Sequence, residues 1–407
     1  MTQNKSQSGY SQYAQAWTLD QDKVFLNHGS FGACPRQVLQ KQSEYREQLE
    51  REPVQFFTRR MQPVIDESRE SLANLIGADA IDLAFVPNAT SGVNAVLRSI
   101  EFEPGDELLI TDHAYNACHN ALVYVADRCG AEVTVARVPF PIGSPSQVID
   151  AVIERVTDRT RIAVIDHITS PTALVFPVKQ IVEELAHRGV DTLIDGAHAP
   201  GMVPLNLHDI GAAYYTGNCH KWLCAPKSAG FLHVRADKQD ALQPSVISHG
   251  YNVERRGYSR FQDYFDWIGT IDPTPWMCVR DSIEFVQSLM PGGMEQLMRH
   301  NNELAIAAQK HLCGAVGIVV PCPPDMIGSM ATIPLSCDES EESELLDFTT
   351  VPTPTHRLKA RLYSEHQIEV PIFFWPAFPQ CVLRVSAQAY NTIDHFERLA
   401  KVLTKIC

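Results

Sequence analysis

From residue 81 to residue 234 one pattern repeats: a short apolar or β-branched run closed by turn residues, then in several places an amphipathic stretch. The strand-like runs cover 81–86, 107–111, 132–138, 161–166, 191–195, 212–216 and 229–234, and helical periodicity marks 93–100, 147–156 and 178–188. Short apolar runs bounded by turns suit buried strands, whereas a 3.6-residue period suits a helix with one covered face. Strands that alternate with helices pair mainly in parallel, and a parallel sheet is covered on both faces. The pattern therefore predicts an α/β fold, with a large domain whose mainly parallel seven-stranded sheet is sandwiched by helices. A G-x-G-x-x-G turn is absent, which argues against a dinucleotide-binding version of that architecture.

After about residue 270 the rhythm changes. Two helices, 275–289 and 294–312, are parted by Pro291, Gly292 and Gly293, residues that break helices. A strand at 329–335, a helix at 356–366, strands at 368–374 and 381–386 and a closing helix at 391–403 complete a smaller α+β domain. The expected organisation is an N-terminal segment (1–50) joining the small domain and the active site, a large domain (51–275) and a C-terminal small domain (276–407). The acidic stretch 336–354 reads as a solvated loop.

Composition narrows the role. The 407 residues carry 34 Lys and Arg against 48 Asp and Glu, a formal charge of −14. So acidic a chain lacks the basic footprint that nucleic acid or an anionic membrane requires. Its first 17 residues are polar, unlike a secretory leader, and no run approaches the ~20 apolar residues of a membrane helix. Eleven cysteines are scattered, with Cys219 and Cys224 the nearest pair and no C-x-x-C. Buried free thiols in the cytoplasm are the expectation.

The chemistry-bearing residues gather at predicted strand ends, where open α/β sheets bind ligands. Lys221 follows one strand within Asn218-Cys-His-Lys-Trp222, an apolar setting. Desolvation lowers a lysine pKa and yields a usable amine nucleophile. Asp195 closes another strand in Asp195-Gly-Ala-His198, suited either to capping the next helix or to pairing with the protonated ring nitrogen of a cofactor such as pyridoxal phosphate. Pro87-Asn-Ala-Thr90-Ser-Gly-Val-Asn94 opens a helix with small and hydroxyl residues, the make-up of a phosphate cradle. Thr111-Asp-His113-Ala-Tyr115 offers flat rings at a fourth strand end. A metal site there with Cys118 and His119 lacks a fourth ligand.

With Phe25–Gly32, Asp166–Pro171, Gly269-Thr-Ile-Asp-Pro273 and Leu383-Arg-Val-Ser386 added, these motifs span nearly the whole chain. On them the chain resembles the class V aminotransferase group of fold-type I pyridoxal-phosphate enzymes, and within it the isopenicillin N epimerase-like proteins. The resemblance implies pyridoxal 5'-phosphate as cofactor, with Lys221 as the lysine that bonds it and Asp195 on its ring nitrogen. His198 lies where relatives contact the phenolic oxygen, and Ser170 where they contact the ring. Ala89 and Thr90, assisted by Asn218 and His220, correspond to the phosphate site. Thr270 matches a residue that reaches the phosphate of the neighbouring subunit, which implies a homodimer with shared active sites. Relatives stack a ring from the position of either His113 or Tyr115. Arg384 resembles the arginine that binds a substrate carboxylate, and Asn27 and His28 would face a small amino-acid substrate.

The resemblance leaves the reaction open once the Cα proton has been removed by Lys221. Epimerisation needs a second acid, for which His113, Tyr115 and His28 are candidates. A β C–S lyase expels a sulfur substituent, and hercynylcysteine sulfoxide lyase-like relatives share Ile271 where many epimerase-like ones carry Arg. A desulfurase needs a reactive cysteine; Cys322 and Cys337 lie near a suitable loop but have no flanking cation and read as ordinary thiols. Transamination and a catalytically silent binding module complete the alternatives.

Overall fold

The computed structural model describes residues 9–336, 357–377 and 380–406. The acidic run from Asp338 and the thiol of Cys337 fall outside them. The strands are β1 (Val24–Phe25), β2 (Leu83–Val86), β3 (Glu107–Thr111), β4 (Glu132–Ala136), β5 (Thr160–Asp166), β6 (Asp191–Gly196), β7 (Tyr214–Asn218), β8 (Gly230–Val234), β9 (Met330–Ser336), β10 (Ile368–Glu369), β11 (Ile372–Phe374) and β12 (Gln380–Ser386). Seven of them form one sheet in the order β2-β8-β7-β6-β5-β3-β4. Every pairing from β4 to β7 is parallel, and only β8 runs against its neighbours. The mainly parallel seven-stranded sheet read from the sequence is therefore present.

Alternation along the strands divides the core in two. Leu109, Ile165, Ile194, Tyr215 and Phe231 point into one cluster, whereas Leu108, Val164, Leu193, Tyr214 and Leu232 point into the other. Successive side chains on a strand face opposite ways, so a sheet covered by helices on both sides needs apolar residues at consecutive positions. The second cluster is closed by the helices Ala89–Ser99 and Asn116–Cys129, through Val93, Val96, Cys118 and Leu122. On this face Asp166 and Asp195 continue the rows begun by Val164 and Leu193.

The C-terminal part is built around an antiparallel sheet, β11-β12-β9, packed against the helix Gly293–Ala315, which in turn packs on Ile393–Ile406. Two elements expected as continuous are divided. The segment 275–289 forms two helices, Thr274–Met277 and Val279–Leu289. The run 368–374 splits into β10 and β11 around Pro371, which has no N–H to offer a ladder. Strand β10 instead pairs in parallel with β1. The N-terminal segment is stitched to β12: Ser386 N–H donates to Leu26 O at 2.9 Å, and Gly29 N–H to Ser386 Oγ at 3.0 Å.

Among the described residues no helix is long and apolar enough to cross a membrane. Among the described residues eight cysteines, Cys322 included, are free thiols. Cys381 is disulfide-bonded, which corrects the expectation of free thiols at that position.

Gly92 controls how closely the Ala89–Ser99 helix lies on the sheet, because a Cβ there would collide with Oγ1 and Cβ of Thr216. Gly92→Val should lower unfolding stability by roughly 1–3 kcal/mol, the usual cost of overpacking. Denaturant titration would measure this, and the helix N-terminus should be displaced with it.

Candidate active site

The C-terminal ends of β5, β6 and β7 bring Asp166, Asp195 and Asn218 to one edge of the sheet. The chain leaves β7 through a turn in which Cys219 N–H and His220 N–H both donate to Ala229 O, at 2.9 and 3.1 Å. Cys224 N–H closes back onto Lys221 O at 3.1 Å with Cys224 at φ 60°, a left-handed conformation that non-glycine residues adopt mainly where a site demands it. Lys221 projects from this turn, and its Nζ lies 3.1 Å from His198 Nε2. Burial, then the charge of Arg384, pulls the Lys221 amine down to about 8, against the opposing pull of Asp195, Cys118 and Asp166. Desolvation also holds His198 well below the usual imidazole range. When the ammonium donates to Nε2, the imidazole proton sits on Nδ1, a buried atom with no partner.

His28 supports this turn rather than serving as an acid. Its Nε2 is 3.0 Å from Lys221 O and its Nδ1 2.9 Å from the Tyr390 hydroxyl. Since a carbonyl only accepts, Nε2 carries the proton and Nδ1 accepts from Tyr390. The ring lies 4.8 Å from that of Trp222, and burial pushes its pKa down to about 3. Gly32, at φ +71°, passes so near His220 O that a side chain would collide. The N-terminal segment thus clamps the backbone that carries the lysine.

At the other end of the cluster, Asp195 is fixed through both oxygens. Ala197 N–H donates to Oδ1 at 2.9 Å and the Cys118 thiol to Oδ2 at 3.0 Å. Among the described residues no three His, Cys, Asp or Glu converge as a metal site; Cys118 serves the carboxylate instead. Asp166 stands beside Asp195 in register on β5. Burial and the Asp195 charge raise its pKa well above the carboxylate range.

The candidate phosphate cradle is the start of the Ala89–Ser99 helix. Asn88 caps it by accepting from Ser91 N–H at 2.9 Å. Ala89 N–H donates to Asn218 Oδ1 at 2.8 Å. That bond commits the acceptor half of Asn218 and leaves its NH2 for a ligand, with the main chain and hydroxyl of Thr90 one residue further on. His220 donates through Nδ1 to Ala229 O at 3.0 Å, and burial takes its pKa down to about 4.

Arg384, on β12, is fully buried and among the described residues has no carboxylate partner. Nη1 donates to Ser170 O at 2.6 Å and lies 3.3 Å from Ser170 Oγ, whereas Nη2 donates to Ser30 Oγ at 3.1 Å. Nε is buried without a partner, and the guanidinium lies 5.1 Å from the Phe373 ring centroid. Ser30 in turn donates to Asn27 Oδ1 at 2.5 Å, and Asn27 Nδ2 to Glu369 at 3.1 Å. Asn27 therefore orients the arginine's neighbour. Burial lowers the guanidinium pKa to about 10.

His113 has both ring nitrogens engaged and lies buried. Nε2–H donates to Val138 O at 3.0 Å, Nδ1 accepts from Thr172 Oγ1 at 2.7 Å, and Trp375 packs at 4.4 Å. Tyr115 is half-exposed, and burial with the charges of Cys118 and Asp195 raises its pKa against the pull of Arg384. Thr270 is exposed and joins none of the site's hydrogen bonds. Asp166, Cys118 as a donor, Ser30 and Tyr390 are the contributors that motif reading did not identify. Asp166 and Ser30 stand inside the motifs 166–171 and 25–32, which give them no role of their own.

A phosphate fits the helix start, a ring nitrogen fits the fixed Asp195 carboxylate, and a carbonyl carbon fits the desolvated Lys221 amine. The orphaned His198 Nδ1–H also marks a place for an acceptor. The model of the aminotransferase class-V family matches residues 24–399. Isopenicillin N epimerase of Streptomyces clavuligerus is 33% identical over 95% of both chains. Putative L-cysteine desulfhydrase 1 of Oryza sativa subsp. japonica is 32% identical, covering 94% of this chain and 82% of its own. A solved complex of the cystine C–S lyase C-DES with its product cysteine persulfide has a TM-score of 0.76 at 19% identity, covering 94% of this chain and 97% of that one; this likeness shows the fold. The chain belongs to the class-V aminotransferase family, and pyridoxal 5'-phosphate is the cofactor its strand-end residues fit.

Proposed function

We propose that this protein removes the Cα proton of an α-amino acid and returns a proton to the opposite face, as an epimerase does. The observation that carries an amino-acid substrate is Arg384, a buried guanidinium that among the described residues has no carboxylate partner and an Nε–H that meets no acceptor; Tyr115 as the second acid carries the epimerase choice. A buried donor left unpaired is costly, and a planar carboxylate is the anion that an arginine fork suits. Pyridoxal phosphate, when bound, supplies the electron sink that acidifies Cα.

The chain's residues divide the remaining work. Thr90, Asn218 and His220 would hold the phosphate, and Asp195 would keep the proton on the ring nitrogen. Lys221, whose amine titrates near about 8, is substantially neutral at mildly alkaline pH and takes the Cα proton at Nζ. Tyr115 would lie against the ring and act as the second acid, because its raised pKa favours the protonated phenol and both candidate histidines have committed their nitrogens. The second reading, β C–S cleavage, uses Lys221 and Arg384 alike and draws support from Ile271 and the desulfhydrase relatives. A desulfurase is less favoured: Cys322 is buried and contacts Gln309 Nε2 at 3.7 Å. We further propose a homodimer in which Thr270 reaches the neighbouring phosphate, covering the exposed Val246, Ile247, Tyr251, Val253 and Ile271.

The deciding experiment incubates the holoenzyme in deuterated water with isopenicillin N-like amino acids, cysteine and hercynylcysteine sulfoxide in turn. Solvent deuterium at Cα with loss of optical rotation is expected. Pyruvate with released sulfur would instead establish the lyase, and a keto acid with aminated cofactor an aminotransferase. No exchange with fully bound cofactor would establish a binding module. Tyr115→Phe should keep deuterium exchange and lose inversion.

Arg384→Ala should lower kcat/KM by roughly 10²-fold or more through loss of a charged hydrogen-bond partner. Arg384→Lys should rescue little, since a lysine lacks the bidentate fork. Steady-state kinetics would show both.

Mixing inactive Lys221→Ala with inactive Thr270→Val subunits should restore part of the activity through hybrid dimers. A fully active monomer in sedimentation would dismiss the shared site.

A further inference from the structure

Asp166 has no role in the reading above, yet it is the nearest acidic neighbour of Asp195 along the sheet. The two are register partners on parallel strands, so their Cα atoms are about 4.8 Å apart and their side chains leave the same face. Both are buried, at 3% and 4% exposure. Their oxygens are treated differently. Asp195 accepts from the Cys118 thiol on Oδ2 and from Ala197 N–H on Oδ1. Among the described residues the Asp166 carboxylate makes no ion pair and accepts no hydrogen bond within 3.5 Å; the main-chain N–H groups of Tyr115 and of its own residue act on it only as nearby dipoles. The charged and titratable groups facing it are Asp195, Lys221 and Cys118.

Two adjacent buried carboxylates cannot both ionise cheaply, and the proton goes to the one with fewer donors. We propose that Asp166 is a positioning residue that stays a neutral carboxylic acid, so that Asp195, held by Cys118 and Ala197, alone carries the negative charge presented to the cofactor's ring nitrogen. A single localised anion gives that nitrogen one acceptor. A second anion would attract the Lys221 ammonium and keep the base protonated. Burial and the Asp195 charge act on Asp166 in the direction this requires. The inference rests on the cofactor reading in its second arm only.

The first arm unfolds wild-type and Asp166→Asn apoprotein in denaturant from pH 4 to pH 8. A carboxyl whose folded pKa is raised loses stability as pH climbs above its unfolded value near ~4. Asp166→Asn should therefore be more stable than wild type at pH 7, with the difference shrinking towards pH 4. A less stable variant at pH 7, or a difference independent of pH, overturns the proposal. Should the variant fail to fold, a protonated-carboxyl infrared band in wild-type apoprotein at pH 7, lost in Asp166→Ala, tests the same point; absence of the band in wild type overturns it. The second arm titrates pyridoxal phosphate into each apoprotein by fluorescence. Asp166→Asn should bind within about threefold of wild type while Asp195→Asn weakens binding at least tenfold. Equal losses in both variants overturn the division of roles. Undiminished binding by Asp195→Asn rejects the cofactor contact itself and leaves the first arm's result standing.

Discussion

Desolvation of the Lys221 amine is the constraint on which the rest of the site depends. An exposed lysine is almost wholly protonated at neutral pH and is a poor base. Here burial and the nearby Arg384 bring it to about 8, and the surrounding packing maintains that environment. Trp222 and Cys224 follow it into the core, the left-handed Cys224 turns the chain back, and His28 grips the lysine's carbonyl from the N-terminal segment. The same segment is bonded to β12 through Leu26 and Gly29. Loosening it would admit water to the amine and move its pKa towards the ordinary value.

Placing Arg384 near Lys221 has a cost that the architecture answers with neutral oxygens. Two cations close together repel, and an acidic partner for the arginine would cancel the attraction that a substrate carboxylate needs. Ser170 from the loop after β5 and Ser30 from the N-terminal segment hold the guanidinium without neutralising it. The nearest acidic group on that path, Glu369, is reached only through Ser30 and Asn27. Three distant stretches of chain therefore meet at one side chain. This explains why the α/β sheet alone would be insufficient: it supplies the carboxylates, the helix start and the lysine, but not the arginine.

The large sheet was legible because strand and helix periodicities are local, and the parallel arrangement follows from their alternation. Lys221, Asp195 and Asn218 were legible because strand ends are marked by where apolar runs stop. Burial partners were not. His113 and Tyr115 lie two residues apart, and nothing local tells that Val138 and Thr172 take both nitrogens of the first while the second remains half-exposed. His28 similarly reads as a substrate contact until Tyr390, 362 residues away, engages its Nδ1. Ala89 N–H, read at a helix start, pairs with an Asn218 side chain 129 residues distant. Pro371, by contrast, was a visible interruption of a strand-like run.

The reaction outcome turns on which acid faces the carbon from the side opposite Lys221. With the nitrogens of His28 and His113 committed, neither can exchange a proton with substrate without breaking two hydrogen bonds in a dry environment. Each ring is also held well towards its neutral form by burial, which removes the positive charge an acid would need. His198 already faces Lys221 at 3.1 Å, so a proton held there returns from the lysine's side and retains configuration. A phenol is a weaker acid than an imidazolium, but burial raises Tyr115 above the ordinary phenol range while Lys221 is brought down to about 8, so a neutral amine and an intact phenol coexist between the two. That overlap between a neutral amine and an intact phenol is what two-face proton transfer requires, and it is the ground on which the proposed epimerisation assigns the second proton to Tyr115.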